Sequence, residues 1–145
     1  MEWMLLPFRR YADFSGRSRR KEYWMFALLY LIVALICGGI MFSGISFSAI
    51  EQAAEAGAEP AAPGVMFWIG MTIMMVFVLA SFIPSLAVTV RRFHDQDKSG
   101  WFVLLNFVPY VGGLIVFVFM CLDGTHGPNR FGADPKDPNS VDVFA

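Results

Sequence analysis

Three long stretches of the chain carry no charged side chain: Tyr23–Ile50, Val65–Val90 and Trp101–Leu122. An α-helix rises about 1.5 Å per residue, so about 20 apolar residues cross a bilayer core of roughly 30 Å. Each stretch is long enough. The pattern predicts an all-α membrane protein, a small bundle of three apolar transmembrane segments at about 23–47, 65–90 and 101–122. Residues 1–135 form one multi-pass domain, and 136–145 a flexible tail rich in turn formers. The first stretch exceeds the roughly 7–15 residues of a signal-peptide core, so it reads as a span.

Detail within the runs refines the picture. Tyr23, Trp24 and Trp101 stand at run starts, where interfacial aromatic residues anchor a helix. Ala34, Gly38, Gly39, Ser43, Gly44 and Ser48 offer small-residue spacings for close helix packing. Gly44–Ser48 is expected to fray into the outer interface. Pro84 removes a backbone donor and predicts a kink. The third run is interrupted by Pro109 and Gly112-Gly113. It has two readings: a kinked span, which we adopt, or a hairpin of two half-helices that dips in and returns. Non-helical backbone at that depth needs protein or water around it.

The polar stretches are short and distinctive. Met1–Phe14 mixes aromatic residues with Arg9 and Arg10, as a segment lying in the headgroup layer does. Ser15–Glu22 is basic and holds Ser15 and Ser18 as candidate caps for the next helix. Glu51–Gly64 has three acids, no base and an Ala/Pro/Gly bias, and reads as a solvated linker. Arg91–Gly100 joins two apolar runs so tightly that its flanking helices must be antiparallel neighbours. Ser99 or Asp97 would cap the helix of the third run.

Charge orients this arrangement. Six basic residues precede the first run, and Arg91, Arg92 and Lys98 come after the second. The loop between those runs is purely acidic. The positive-inside rule therefore places the N-terminus and the central loop in the cytoplasm. The net charge of −1 conceals this segregation, while 57% hydrophobic and 16% charged residues set the chain apart from soluble domains. Cys37 and Cys121 lie singly in apolar runs, with neither redox nor zinc spacing.

Three polar blocks resemble the bacterial inner-membrane family called domain of unknown function 805. They are Phe14-Ser15-Gly16-Arg17 to Arg20 with Glu22, Tyr23 and Trp24; Arg91-Arg92-Phe93-His94-Asp95 with Ser99-Gly100-Trp101; and Gly124–Gly127 with Asn129-Arg130-Phe131-Gly132 and Asp134-Pro135. Phe93 and Gln96-Asp97-Lys98 depart from the usual pattern. The resemblance implies a multi-pass inner-membrane protein and no assigned reaction.

The candidate site is a polar cluster at the cytoplasmic face: Arg17, Arg20, Glu22, Arg91, Arg92, His94, Asp95, Ser99 and Trp101, with Asn129 and Arg130 joining if the tail shares that side. Arginine's planar fork suits phosphate, so anionic phospholipid headgroups are the expected partners, beside the bilayer itself. The alternative is a regulatory or structural subunit of a membrane complex, holding a partner protein or a second copy and no ligand. An enzyme is a weaker reading. His94 and Asp95 have acid–base potential, with His126 as a second imidazole, but no nucleophile or metal spacing accompanies them. Apolar runs without ionisable residues speak against a self-contained transporter. No cofactor, catalytic residue, metal or nucleic acid is expected.

Overall fold

The two longest uncharged runs become the two longest helices. The computed structural model describes residues 2–59 and 62–137. In chain order it contains α1 (Glu2–Arg9), α2 (Arg20–Ser43), α3 (Phe47–Glu55), α4 (Val65–Asp95), a 3₁₀ helix (Gly100–Phe107) and α5 (Gly112–Cys121). Among the described residues the only β-type pairing is an isolated bridge between Asn129 and Gly132. At the α-helical rise, the 24 residues of α2 and 31 of α4 reach about 36 and 46 Å, enough to cross a bilayer core. Most of the expected flexible tail, 138–145, lies outside the described residues.

The distribution of side chains is the reverse of a soluble domain. Leu35, Leu79 and Leu114 are about two-thirds exposed, along with many other large apolar residues of these helices. Arg17, Glu22, Arg91, Arg92 and Asp95 are buried. Apolar faces of this extent need lipid or protein against them.

The chain forms two compact units, Met1–Leu28 with Ser81–Ala145, and Leu29–Ala80. In the second unit, glycines let α2 and α4 approach closely. A Cβ on Gly70 would lie 2.7 Å from Met41 Cγ and 2.9 Å from the Cys37 carbonyl. One on Gly44 would lie 2.3 Å from the Phe67 nitrogen, and the Gly64 N–H donates to the Gly44 carbonyl at 2.8 Å. Gly38 and Gly39 meet nothing within 4 Å. So part of the small-residue spacing does serve packing, and part does not. Tyr30 and Phe77 meet edge to face at 4.9 Å between ring centroids.

The acidic linker is corrected in part: its start, Glu51 to Glu55, belongs to α3. Alanine, glutamate and glutamine are good helix formers, and Ile50-Glu51-Gln52-Ala53-Ala54-Glu55 is built of little else. The turn signals begin only at Gly57, which takes φ +63°.

The first unit holds the third apolar run, and the expected continuous kinked helix does not form. Gly100–Phe107 coils as a 3₁₀ helix, the chain turns at Val108–Val111, and α5 runs back along it. Pro109 cannot donate a helical hydrogen bond. Tyr110 takes φ +67°. A Cβ on Gly112 would fall 1.8 Å from the Leu105 carbonyl, so only glycine allows the returning chain to pass there. The two pieces are each about 15 Å long, half a bilayer core. Ser99 caps the 3₁₀ helix as expected, its hydroxyl accepting from the Trp101 N–H at 3.4 Å. Val116 and Met120 of α5 pack with Phe93 into a small apolar core, edged by Tyr23, Val103, Leu105 and Phe119.

Candidate functional site

The last turn of α4 carries four polar side chains, and helical spacing sends them to different partners. Arg91 and Arg92 are successive, so they point about 100° apart around the axis. Arg91 donates from Nη2 to Glu22 Oε1 at 2.8 Å and from Nη1 to the Asp13 carbonyl at 2.9 Å. Arg92 is three residues before Asp95, on one helix face, and pairs with its Oδ2; it also donates to the Leu122 carbonyl. Asp95 has a second cation. Arg17 Nε donates to its Oδ1 at 3.0 Å, with both side chains almost fully buried.

Arg17 is the hub for the tail. Its Nη1 donates to the Gly127 carbonyl and its Nη2 to the Thr125 carbonyl, each at 2.6 Å. The Thr125 N–H donates to the Asp95 carbonyl at 2.8 Å. Gly124 makes this approach possible, because a Cβ there would sit 2.0 Å from Asp95 Oδ2. Asn129 Nδ2 donates to the His94 carbonyl at 2.9 Å and to Thr125 Oγ1 at 3.0 Å. Asp134 accepts from the backbone N–H groups of Gly127 and Lys136. Those backbone bonds, that of Lys136 first, with the charge of Arg17, hold its carboxyl below the ordinary range.

The N-terminal side closes the module. The Ser18 N–H donates to the Arg91 carbonyl at 3.2 Å, and its hydroxyl donates to Glu22 Oε2 at 2.7 Å. Asp13 accepts from Ser15 and from Arg10; the Ser15 hydroxyl and the Arg10 guanidinium lower its pKa to about 2.

Buried charge is balanced. Arg17, Arg91 and Arg92 face Glu22, Asp95 and Asp134, three of each sign. A buried cation is tolerated when it is paired and hydrogen-bonded, and these are. The arrangement therefore acts as an internal clamp, joining the start of α2, the end of α4 and the segment after α5. Its arginines have little left to offer an outside anion: Nε of Arg91 and of Arg92 have no partner among the described residues, but both are buried out of reach.

All eleven residues singled out from the sequence lie in the first unit, in three settings. Arg17, Glu22, Arg91, Arg92 and Asp95 form the buried clamp. Arg20, Asn129 and Arg130 bind its edges: Arg20 pairs with Asp123 at 2.8 Å and Arg130 with Asp97 at 3.1 Å, both pairs substantially exposed. His94, Ser99 and Trp101 line a groove of about 470 Å³ with Phe14 and Phe131. The structure adds Asp13, Gln96, Thr125, Gly124 and Asp134, which sequence reasoning did not count as site residues. Gly124, Thr125 and Asp134 stood inside the third block, so a signal was present for those three. Gln96, whose Nε2 donates to the Phe119 carbonyl at 2.5 Å, gave none. Among the described residues no metal-ligand group forms, and Asp95 and Asp97 are taken by arginines.

The outer basic residues form a different surface. Arg19 and Lys21 lie over the Trp3 indole, 5.9 and 5.3 Å from its centroid. Beside them Glu2, Trp3, Leu6 and Arg9 line a shallow depression of about 230 Å³.

These features define a helical membrane protein whose polar residues are knotted at the end of one long helix. The three polar blocks that build the knot also mark its lineage. The family described as Protein of unknown function (DUF805) matches residues 11–133, and the chain belongs to it. Two relatives from Escherichia coli (strain K12) are similar over nearly their whole length. Inner membrane protein YhaI is 40% identical over 137 residues, 94% of this chain and 97% of YhaI. Inner membrane protein YhaH is 40% identical over 136 residues, 94% of this chain and 98% of YhaH. No solved structure matches the chain.

Proposed function

We propose that the chain is a bacterial inner-membrane protein that crosses the bilayer twice, keeps both its N-terminus and its polar clamp in the cytoplasm, and binds anionic phospholipid headgroups through the outer basic residues around Trp3. In this reading α2 and α4 cross, and the third apolar run is a re-entrant hairpin. The names of the relatives support the compartment, and the basic flanks of α2 and α4 support the orientation. The hydrogen bonds of Arg17 and Asn129 support one side for central loop and tail alike.

The observation that carries the binding reading is the cluster of Arg9, Arg19 and Lys21 around Trp3. Cations held over an indole, on a helix with exposed Leu5, suit the boundary between headgroups and acyl chains. Each basic side chain near an anionic leaflet is worth about 1 kcal/mol. Arg17, Arg91 and Arg92 are spent inside the clamp, so headgroup contact falls to these outer residues.

The test has two arms. With Cys37 and Cys121 replaced by Ala, a cysteine in place of His126 is labelled by an impermeant thiol reagent only after the inner membrane is permeabilised; labelling in cells with an intact inner membrane would put the tail outside and end the two-span reading. In reconstituted protein, spin-labelled phosphatidylglycerol associates more strongly than phosphatidylcholine. Changing Arg9, Arg19 and Lys21 together to Gln removes that preference. A preference that survives in the triple variant overturns the binding reading.

A further inference from the structure

The groove beside His94 is separate from the headgroup surface and has a different chemistry. Its apolar walls are Phe14, Val90, Val103, Trp101 and Phe131, and no Asp, Glu, Lys or Arg lines it. At about 470 Å³ it falls within the usual range for small-molecule sites, roughly 300–1,000 Å³. A charged ligand would find no counter-charge on these walls.

Beside the Ser99 hydroxyl and the Trp101 indole, His94 brings a ring nitrogen to this space. His94 Nδ1 lies 3.2 Å from the Gly16 carbonyl oxygen. A carbonyl only accepts, so Nδ1 carries the proton and donates. In the neutral ring Nε2 is then an acceptor. The imidazole is held flat against Phe131, with centroids 3.9 Å apart and planes 5° from parallel. Gly100 keeps the approach to Nε2 open: a Cβ there would sit 3.2 Å from Nε2 and 2.8 Å from Val90 Cγ1. Fixed ring, fixed tautomer and an absent side chain together present one lone pair to an aromatic groove. Trp101, 77% exposed, stands at its mouth, at the start of an apolar run.

We propose that this groove binds a quinol, a neutral, membrane-soluble aromatic ring whose phenolic O–H donates to His94 Nε2. The acceptor selects a donor head. The uncharged walls select a neutral one. The aromatic walls favour a flat ring over an aliphatic alcohol. A quinone of the same skeleton has only carbonyl acceptors to offer Nε2, so the hydrogen bond at Nε2 favours the quinol over the quinone.

The experiment titrates the full chain in nanodiscs with decylubiquinol and with decylubiquinone by calorimetry, protein-free nanodiscs serving as blank. A net hydrogen bond is worth about 1 kcal/mol and a facing acceptor pair is worse than none, so the quinol is expected to bind about tenfold more tightly. In ¹⁵N-histidine spectra the Nε2 resonance of His94 moves upfield with the quinol and stays in place with the quinone. His94→Phe keeps the ring against Phe131 and brings quinol affinity down to the quinone level. Equal affinity for the two forms, binding of neither, or dioctanoylglycerol binding as tightly as the quinol each overturns the proposal. Should His94→Phe fail to fold, the comparison of redox forms and the Nε2 shift are made on the unaltered chain and decide alone.

Discussion

Replacing Asp95 by Asn is the sharpest test of the clamp. The carboxylate accepts from Arg17 Nε and from Arg92 Nη1, and its own exposure is 3%. Asn is nearly isosteric, so no cavity forms. What changes is charge: the buried set goes from three cations against three anions to three against two. One of the amide's two ends must also turn N–H groups toward a guanidinium that only donates. Removing one partner of a buried pair costs about 3–5 kcal/mol. Asp95 serves two arginines, which puts this substitution at the upper end, a large share of an ordinary stability of about 5–15 kcal/mol. Asp97→Asn is the matched control, because its pair with Arg130 is about half exposed and such pairs contribute about 0–1 kcal/mol. The assay is unfolding in mixed micelles at rising SDS fraction, monitored by tail proteolysis. A second variant, Arg17→Gln with Asp95→Asn, restores balance and is expected to recover part of the loss, giving a coupling of about 1–3 kcal/mol in the cycle. If Asp95→Asn costs no more than Asp97→Asn, or the double variant is simply additive, the clamp is not held by buried ion pairing.

Two further substitutions probe other parts of the unit. Gly112→Ala puts a methyl group where the Leu105 carbonyl stands, so it is expected to open the hairpin and cost about 1–3 kcal/mol, seen as unfolding at a lower SDS fraction in the same mixed micelles. Asp13 has its folded pKa lowered from 3.8 to about 2. Its stabilisation is therefore fully present above pH 3.8 and lost as the pH falls toward 2, so wild type and Asp13→Asn differ in stability at neutral pH and converge across that interval in acid unfolding.

The parts of the fold that depend on local pattern were legible in the sequence. Uncharged length announced α2 and α4, and Ser99 announced the start of the 3₁₀ helix. The fate of Trp101–Leu122 was harder. Pro109 and Gly112 marked a break, but whether a broken run continues or reverses depends on what its two halves meet. Reversal is favoured by the Phe93 core and by Gly112 lying against the Leu105 carbonyl, contacts between residues that local pattern does not pair. The same limit applies to the site. Arg17, Arg91, Arg92 and Asp95 could be gathered from the charged blocks, yet charge and spacing alone read them as open to a ligand. Their mutual pairing spans 78 residues between Arg17 and Asp95, and separation of that order leaves no periodic trace. α3 was missed because Pro60, Pro63 and Gly64 at the end of its stretch outweighed six good helix formers at the beginning.

The two descriptions of the arginines, as topology signals and as clamp residues, belong to different stages of one process. Orientation is set while the helices enter the membrane, before tertiary contacts exist, and on the proposed orientation an extended Arg91 or Arg92 then counts as a full cytoplasmic charge. Once α2 and α4 are in place, the same side chains lie near a bilayer that exposed charge cannot enter, and pairing with Glu22 and Asp95 removes that cost. On the proposed orientation, an acid that arrives late is an advantage: Asp95 comes just after Arg91 and Arg92, and acids contribute little to the insertion signal. The order predicts a separation of effects. Asp95→Asn should leave insertion intact while loosening the tail. Changing Arg91 and Arg92 together to Gln should weaken both. Cysteine labelling at position 126 measures the side of the membrane, and tail proteolysis measures the clamp. A variant that loses Asp95 and inverts would show that pairing precedes insertion, against this order of events.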